Sequence, residues 1–298
     1  MMNTVLERVS RLFDGLDRRW DSRTTQHRIG TILVAAFLVA LLAIEFNRQG
    51  WLPEGLRLLV PLNHFHAVNL AFTLLLLFEV IALVFNLAES VSYSLGKQFE
   101  ILSLILIRQA IKELTAFQEP VDWTQVKPVL LEMGSLASGA LVIFVVLGLY
   151  YRSQKRRPIT MDTHDKASFI AIKKLISLSL FGLFILIGAV DVVHYFSGQA
   201  IYPFFEIFFT VLIFSDILMV LISLRYSSTY SFVFRNSGYA VATVFIRLAL
   251  TSPNHVSVLL GVGAAVFALG VTLAYNAFAP ILQQADQDVQ DQRHPMED

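Results

Sequence analysis

Long apolar runs separated by short polar segments dominate this chain. Eight of the runs are long enough to cross a bilayer, because a membrane-spanning helix needs about 20 mostly apolar residues. The third and seventh runs are the least hydrophobic, and each carries an arginine. The pattern therefore predicts an all-α membrane protein with eight transmembrane helices. We place these spans at 29–47, 67–91, 98–117, 131–151, 168–195, 202–225, 234–251 and 257–279.

Two pairs of consecutive runs are predicted to form helical hairpins, and both hairpins carry charged residues in the same order. In each hairpin an acidic residue precedes the turn and an arginine follows it, 29 residues later in the first hairpin and 31 in the second. We place the turns near Ser92–Lys97 and Ser227–Phe232, which puts acid and arginine at similar depth. A charged side chain inside a bilayer is costly, so we expect each acid to bind its arginine. The predicted pairs are Glu79 with Arg108, and Asp216 with Arg247.

The order of features in the first half of the chain recurs in the second half. The sequence GALVIFVVLGLYY in the fourth span resembles GAAVFALGVTLAY in the eighth, in addition to the two matched hairpins. The chain is therefore predicted to contain two four-helix repeats, at 29–152 and 168–279. Because an even number of spans returns each repeat to its starting side, we expect the two repeats to be parallel.

The distribution of lysine and arginine predicts the orientation. With the N-terminus inside, 17 of these residues fall on the cytoplasmic side of the predicted spans and four on the opposite side. Basic residues are enriched in cytoplasmic segments of membrane proteins. We therefore predict that both termini are cytoplasmic.

Three polar segments complete the predicted organisation. Residues 1–28 alternate apolar and basic positions at helical spacing, which predicts an amphipathic helix on the cytoplasmic membrane surface. A helix that binds a partner is the alternative interpretation of this segment. Residues 153–167 are predicted to form a basic cytoplasmic linker, and residues 280–298 a disordered cytoplasmic tail.

Other polar residues extend the candidate site along the helices. Glu45 and Asp191 occupy corresponding positions near the ends of the first and fifth spans, and His194 shares a helix face with Asp191. We expect these groups nearer the outer surface, where the two acids would add a second carboxylate to each bundle. On the seventh span, Thr243 lies one helical turn before Arg247 and continues a polar stripe.

Short motifs in both halves resemble the phosphate-starvation-inducible E (PsiE) family of small bacterial four-helix inner-membrane proteins. The resembling segments are FEVIAL at Phe78–Leu83, Arg108, Asp191–His194, Arg247 and TSPNHVSVL at Thr251–Leu259. This chain differs in being a tandem, and its second half has Ser215–Asp216 in place of the Phe-Glu pair. The resemblance implies a location in the bacterial inner (plasma) membrane, and it supplies no mechanism.

Composition narrows the range of functions. Hydrophobic residues make up 55% of the chain and charged residues 15%, as is typical of a membrane protein. The formal net charge is zero, so the basic excess of a nucleic-acid-binding protein is missing. There is no cysteine, and His64 and His66 alone are a weak metal signal. No phosphate-binding loop or catalytic motif is present either, so we predict no enzymatic activity, no cofactor and no metal site.

Two functions fit the acid–arginine pairs. In the first, each bundle contains a narrow hydrated path, in which the acids exchange protons or attract cations and the arginines tune them or bind a small anion. In the second, the pairs are structural staples in a non-transporting membrane scaffold or sensor. The expected partners are the lipid bilayer and an ion or small anion, with a second copy of the chain or a membrane protein as further candidates.

Overall fold

The computed structural model describes residues 2–88, 91–117, 123–154, 163–197, 203–226 and 230–293. In these residues the regular structure is entirely helical, with a short 3-10 turn at Glu113–Ala116. The helices are α1 Met2–Trp20, α2 Arg23–Arg48, α3 Glu54–Arg57, α4 Phe65–Asn86, α5 Val91–Lys112, α6 Trp123–Ser153, α7 Thr163–Phe196, α8 Phe204–Tyr226, α9 Tyr230–Thr251 and α10 Asn254–Arg293. The prediction of an all-α fold is confirmed for the described part of the chain.

Six of the helices are long and apolar enough to cross a membrane, which indicates a multi-pass membrane protein. The crossing segments are Arg23–Arg48, Phe65–Asn86, Val126–Ser153, Phe169–His194, Phe204–Ile222 and Asn254–Phe278. The other two predicted spans correspond to α5 and α9, which are 22 residues long but less apolar. Six of the eight predicted spans therefore have the length and composition of a membrane-crossing helix in the described residues, and the count of eight stays a prediction.

Two apolar cores hold the long helices together. The first joins α5, α6, α9 and α10 through fully buried side chains such as Leu102, Ile143 and Ile246. The second joins α4, α7 and α8 through Leu83, Leu180 and Phe208. Since α5 and α9 lie at the centre of the first core and also touch each other, their polar residues face protein more than the membrane.

Helix neighbours follow the same order in the two halves of the chain. In the first half α2 packs on α4, α4 on α5, and α5 on α6; in the second half α7 packs on α8, α8 on α9, and α9 on α10. Across the halves, α5 contacts α9 and α6 contacts α10. The contacts of α7 with α4 and α1 depart from this correspondence and bring the start of α7 to the centre of the fold.

The first predicted turn is wrong in position. Helix α4 ends at Asn86 and α5 begins at Val91, so Ser92–Lys97 belong to α5. Ser94, Gly96 and Gln98 are small or polar residues that neighbouring helices bury, and they do not mark a turn. At Gly96, a Cβ would lie 2.7 Å from the ring of Tyr151, so only glycine allows this close approach. In the second hairpin α9 begins at Tyr230, and residues 227–229 lie outside the described residues.

The amphipathic N-terminal helix is present as α1, and part of its apolar face covers protein. Phe13 is buried and its ring lies 5.7 Å from that of Phe85 on α4. Asp14 forms an ion pair with Lys174 on α7, at 2.6 Å. Part of the apolar face therefore packs against α4 and α7, while Leu12, Arg8 and Arg11 are exposed.

The C-terminal segment differs from the predicted disorder. Helix α10 continues to Arg293, beyond the predicted boundary at 280, and residues 294–298 lie outside the described residues. Helix propagation costs little once a long helix is nucleated, and the sequence between 281 and 293 contains neither glycine nor proline to stop it. In the predicted linker, residues 155–162 lie outside the described residues, and α7 begins at Thr163.

Candidate functional site

The first predicted acid–arginine pair forms between α4 and α5. Arg108 Nη1 contacts Glu79 Oε1. The side chain of Arg108 is 24% exposed and that of Glu79 is 11% exposed. This pair therefore lies at the edge of the helix bundle, where one side of the guanidinium reaches the protein surface.

The second predicted pair forms between α8 and α9 and is more deeply buried. Arg247 Nε donates a hydrogen bond to Asp216 Oδ2 at 3.3 Å, and the side chains are 0% and 7% exposed. The two terminal nitrogens of Arg247, Nη1 and Nη2, have no hydrogen-bond partner among the described residues. A guanidinium carries five N–H donors, so this arginine has spare donor capacity inside the bundle.

Acid and arginine meet although they do not lie at the same distance from the turn. Glu79 lies seven residues before the end of α4, whereas Arg108 lies 17 residues after the start of α5. Side chains lean toward the N-terminus of their own helix, so in an antiparallel pair these two lean toward each other. Asp216 and Arg247 are offset in the same direction, with ten residues against 17. The pairing prediction is confirmed, and the matched-depth argument for it is wrong.

A small cavity of about 40 Å³ adjoins the second pair. It lies between α5, α7, α8 and α9, in the half of the bundle that contains α1 and the α4–α5 connection. Five apolar residues and six polar side chains line it, and each of the polar ones is less than 9% exposed. These six residues are Ser94, Gln98, Lys173, Asp216, Asn236 and Thr243.

Hydrogen bonds inside the site leave both donor and acceptor capacity facing the cavity. Gln98 Nε2 donates to Ser94 Oγ at 3.3 Å, and Gln98 Oε1 has no hydrogen-bond partner among the described residues. Arg235 Nη2 donates to Asn236 Oδ1 at 3.5 Å, which leaves the amide nitrogen of Asn236 as a donor. Thr243 donates to the backbone carbonyl of Tyr239 at 2.9 Å. A polar cavity of this kind suits water molecules or an ion.

Lys173 is the most notable cavity residue because a buried lysine is rare. It is 4% exposed, and its Nζ lies 4.9 Å from the ring centroid of Phe169. The adjacent Lys174 points elsewhere and binds Asp14 on α1. Nothing in the local sequence tells which of these two adjacent lysines faces the interior.

Sequence reasoning also missed Ser94, Gln98 and Asn236 as cavity residues. Ser94 was assigned to a turn, Gln98 was placed at the start of the third predicted span, and Asn236 had no apparent partner in the sequence. A usable signal was their spacing: Ser94 and Gln98 are four apart on α5, and Asn236 and Thr243 are seven apart on α9, as expected for one helix face.

The remaining predicted residues divide between the cavity and the opposite end of the bundle. Thr243 lines the cavity, as the polar stripe on α9 indicated. Glu45 instead accepts a hydrogen bond from Gln49 at 2.6 Å and pairs with His64 at 3.3 Å, with 42% of its side chain exposed. Asp191 and His194 lie near the end of α7 and do not line the cavity.

Within the described part of the chain, no group of three or more potential metal ligands among His, Asp and Glu comes together.

No protein-family model, curated protein or solved structure matches this chain. The PsiE resemblance therefore stays a prediction.

Proposed function

We propose that this chain is a multi-pass inner-membrane protein that moves protons or small ions through its polar interior. In this proposal all eight long helices cross the membrane, and both termini are cytoplasmic. The central position of α5 and α9 supports their crossing, because neighbouring helices shield their polar residues from lipid. The cavity beside Asp216 then lies in the cytoplasmic half of the membrane.

Two parallel, PsiE-like repeats are part of the same proposal. The matching order of helix neighbours in the two halves supports it, as do the acid–arginine pairs on corresponding helices, α4–α5 and α8–α9. A parallel duplication relates the halves by an axis along the membrane normal, which would pass between α5 and α9 and between α6 and α10.

The observation that carries the functional proposal is the polar cavity at Asp216. Buried carboxylates and lysines inside a membrane protein commonly mark ion or proton pathways. A volume of about 40 Å³ is far below the roughly 300–1,000 Å³ of sites for organic ligands. The size therefore favours water, protons and monatomic ions as the species that occupy this cavity.

Flux through purified protein tests the proposal. In proteoliposomes, with proton and ion movement followed by dyes inside the vesicles, the wild-type chain should dissipate a gradient. Asp216→Asn should reduce this flux at least about tenfold, because the variant cannot ionise at a site where protons or ions must be bound and released. Glu206→Gln is the matched control, since Glu206 is an exposed acid on the same helix, and it should retain wild-type flux. A wild-type chain without flux, or an Asp216→Asn variant with full flux, contradicts the proposal.

A non-transporting scaffold or sensor is the second candidate, and one observation favours it. Arg247 is fully buried and paired, as a structural staple between α8 and α9 would be. In that case no ion flux occurs in the wild type, and substitutions at the pair change only folding and expression.

A further inference from the structure

We propose that one face of α1 binds anionic phospholipids of the leaflet from which α2 enters the membrane. This arginine face consists of Arg8, Arg11, Leu12, Arg18 and Arg19. Its guanidinium groups bind lipid phosphates, and its leucine contacts the upper part of the acyl chains. The inference concerns the membrane partner of α1 and does not depend on ion flux.

The arginine face is a continuous exposed strip of the helix. At 3.6 residues per turn its five residues fall within roughly a third of the helix circumference, and all five are exposed. The opposite side of α1 carries Phe13, which is buried against Phe85 on α4. Helix α1 therefore covers protein with one side and presents arginines outward with the other.

The charge on the outward side of α1 is strongly positive. The four arginines of the face form no ion pair with an acid in the described part of the chain. The acids between residues 7 and 20 are Glu7, Asp14 and Asp17. Glu7 is exposed, Asp14 is neutralised by Lys174 on α7 at 2.6 Å, and Asp17 is half-buried on the opposite side. Four arginines against one exposed glutamate make this side a binding surface for anions.

The connection between α1 and α2 holds the arginine face at the membrane boundary. Only two residues separate α1 from Arg23, where the crossing segment of α2 begins. Side-chain hydrogen bonds fix this corner, because Ser22 Oγ and Thr25 Oγ1 both donate to the backbone carbonyl of Arg19, at 2.8 and 2.7 Å. Helix α1 also contacts the last turn of the crossing segment in α4, through Phe85. Arginine side chains at this level reach lipid headgroups.

Charge complementarity and the exposed leucine select an anionic lipid as the partner. A guanidinium binds phosphate oxygens through parallel hydrogen bonds. Each basic residue near an anionic membrane surface favours binding by about fivefold. Leu12, which is 61% exposed within a basic face, suits the boundary between headgroups and acyl chains, whereas the surface of a nucleic acid offers it no apolar contact. Arginine stems can cover the same apolar boundary while their charged ends stay at the phosphates.

The lipid composition beside Leu12 tests this inference in the full-length chain. Because the chain has no cysteine, Leu12→Cys can carry a single bimane fluorophore within the arginine face. The labelled protein is placed in phosphatidylcholine nanodiscs that contain a small fraction of nitroxide-labelled phosphatidylglycerol or, separately, of nitroxide-labelled phosphatidylcholine. We expect the anionic lipid to quench the fluorophore as if enriched about 25-fold over the zwitterionic lipid, the effect of two arginines at about fivefold each.

Arginine variants of the labelled chain identify the residues responsible. Arg8→Gln combined with Arg11→Gln should reduce the preference for the anionic lipid about tenfold or more, because Arg8 lies one turn before Leu12 and Arg11 lies beside it. Arg152→Gln is the matched control and should keep the full preference, since Arg152 is an exposed arginine at the end of α6, which packs on α5 and α10.

Two results would overturn the lipid site on α1. The first is equal quenching by the two labelled lipids in the chain that retains all its arginines, which is also the result expected if α1 binds a soluble acidic protein instead of lipid. The second is an undiminished preference in the Arg8→Gln, Arg11→Gln variant. Exposed arginines do not hold the core, so we expect this variant to fold like its parent.

Discussion

Replacing Arg247 with methionine is expected to destabilise the protein by about 3–5 kcal/mol, the cost of breaking a buried ion pair by removing one partner. Arg247 is 0% exposed, and its Nε binds the carboxylate of Asp216. Methionine fills similar space without a charge, so the loss comes from the buried carboxylate that it leaves uncompensated. The measurement is the free energy of unfolding in mixed micelles during a denaturant titration.

Two companion variants test whether the uncompensated carboxylate of Asp216 causes the loss of stability. The double variant Asp216→Asn with Arg247→Met should recover most of the lost stability, because no uncompensated charge remains. Arg108→Met should cost less than Arg247→Met, since Arg108 is 24% exposed and its partner Glu79 can reach water more easily. The ion-pair explanation is refuted if Arg247→Met unfolds within about 1 kcal/mol of the wild type, below the range for a broken buried pair.

Replacing Gly139 with leucine should destabilise the packing of α6 against α10 by about 1–3 kcal/mol, the usual cost of overpacking. A Cβ at Gly139 would lie only 2.5 Å from Val258 Cγ1, and leucine adds three further carbons. Either α10 moves away or Val258 leaves its rotamer, and both changes weaken the core that surrounds α9.

A glycine on the same helix provides the control for Gly139→Leu. Gly148 is exposed and a Cβ there meets nothing within 4 Å, so Gly148→Leu should leave stability unchanged or raise it slightly. Thermal unfolding of both variants in the same detergent separates the two outcomes. Equal unfolding temperatures for the two leucine variants would show that α6 and α10 do not approach closely at Gly139.

The sequence predicted the helices and the two ion pairs because both follow from strong energetic rules. Apolar run length marks membrane-crossing helices, and a charged residue within such a run must find a partner. Glu79 with Arg108 and Asp216 with Arg247 were therefore identifiable without coordinates. The structure adds that the pairs differ, one fully buried and one at the edge of the bundle.

The cavity could not be predicted, because contacts between distant segments create it. Gln98 on α5, Lys173 on α7 and Asn236 on α9 are far apart in sequence. The three residues fall inside predicted spans, but local sequence does not tell which polar residues a neighbouring helix covers or which of them meet. Contacts between distant segments also explain the composition of α5 and α9. Because neighbouring helices cover their polar residues, these central helices can be less apolar than helices in contact with lipid.

Hydration of the cavity is the central physical claim, and two buried serines on α5 test it most directly. Ser94 lines the cavity and is 6% exposed, whereas Ser103 is 5% exposed and lies outside it. The chain has no cysteine, so Ser94→Cys and Ser103→Cys each introduce a single thiol. Silver ion, a monatomic thiol reagent small enough for the cavity, should react with the cysteine at 94 on the order of a hundredfold faster, because the other is reached only after local opening. Equal protection of both thiols would contradict a hydrated interior and leave the ion pairs as structural staples.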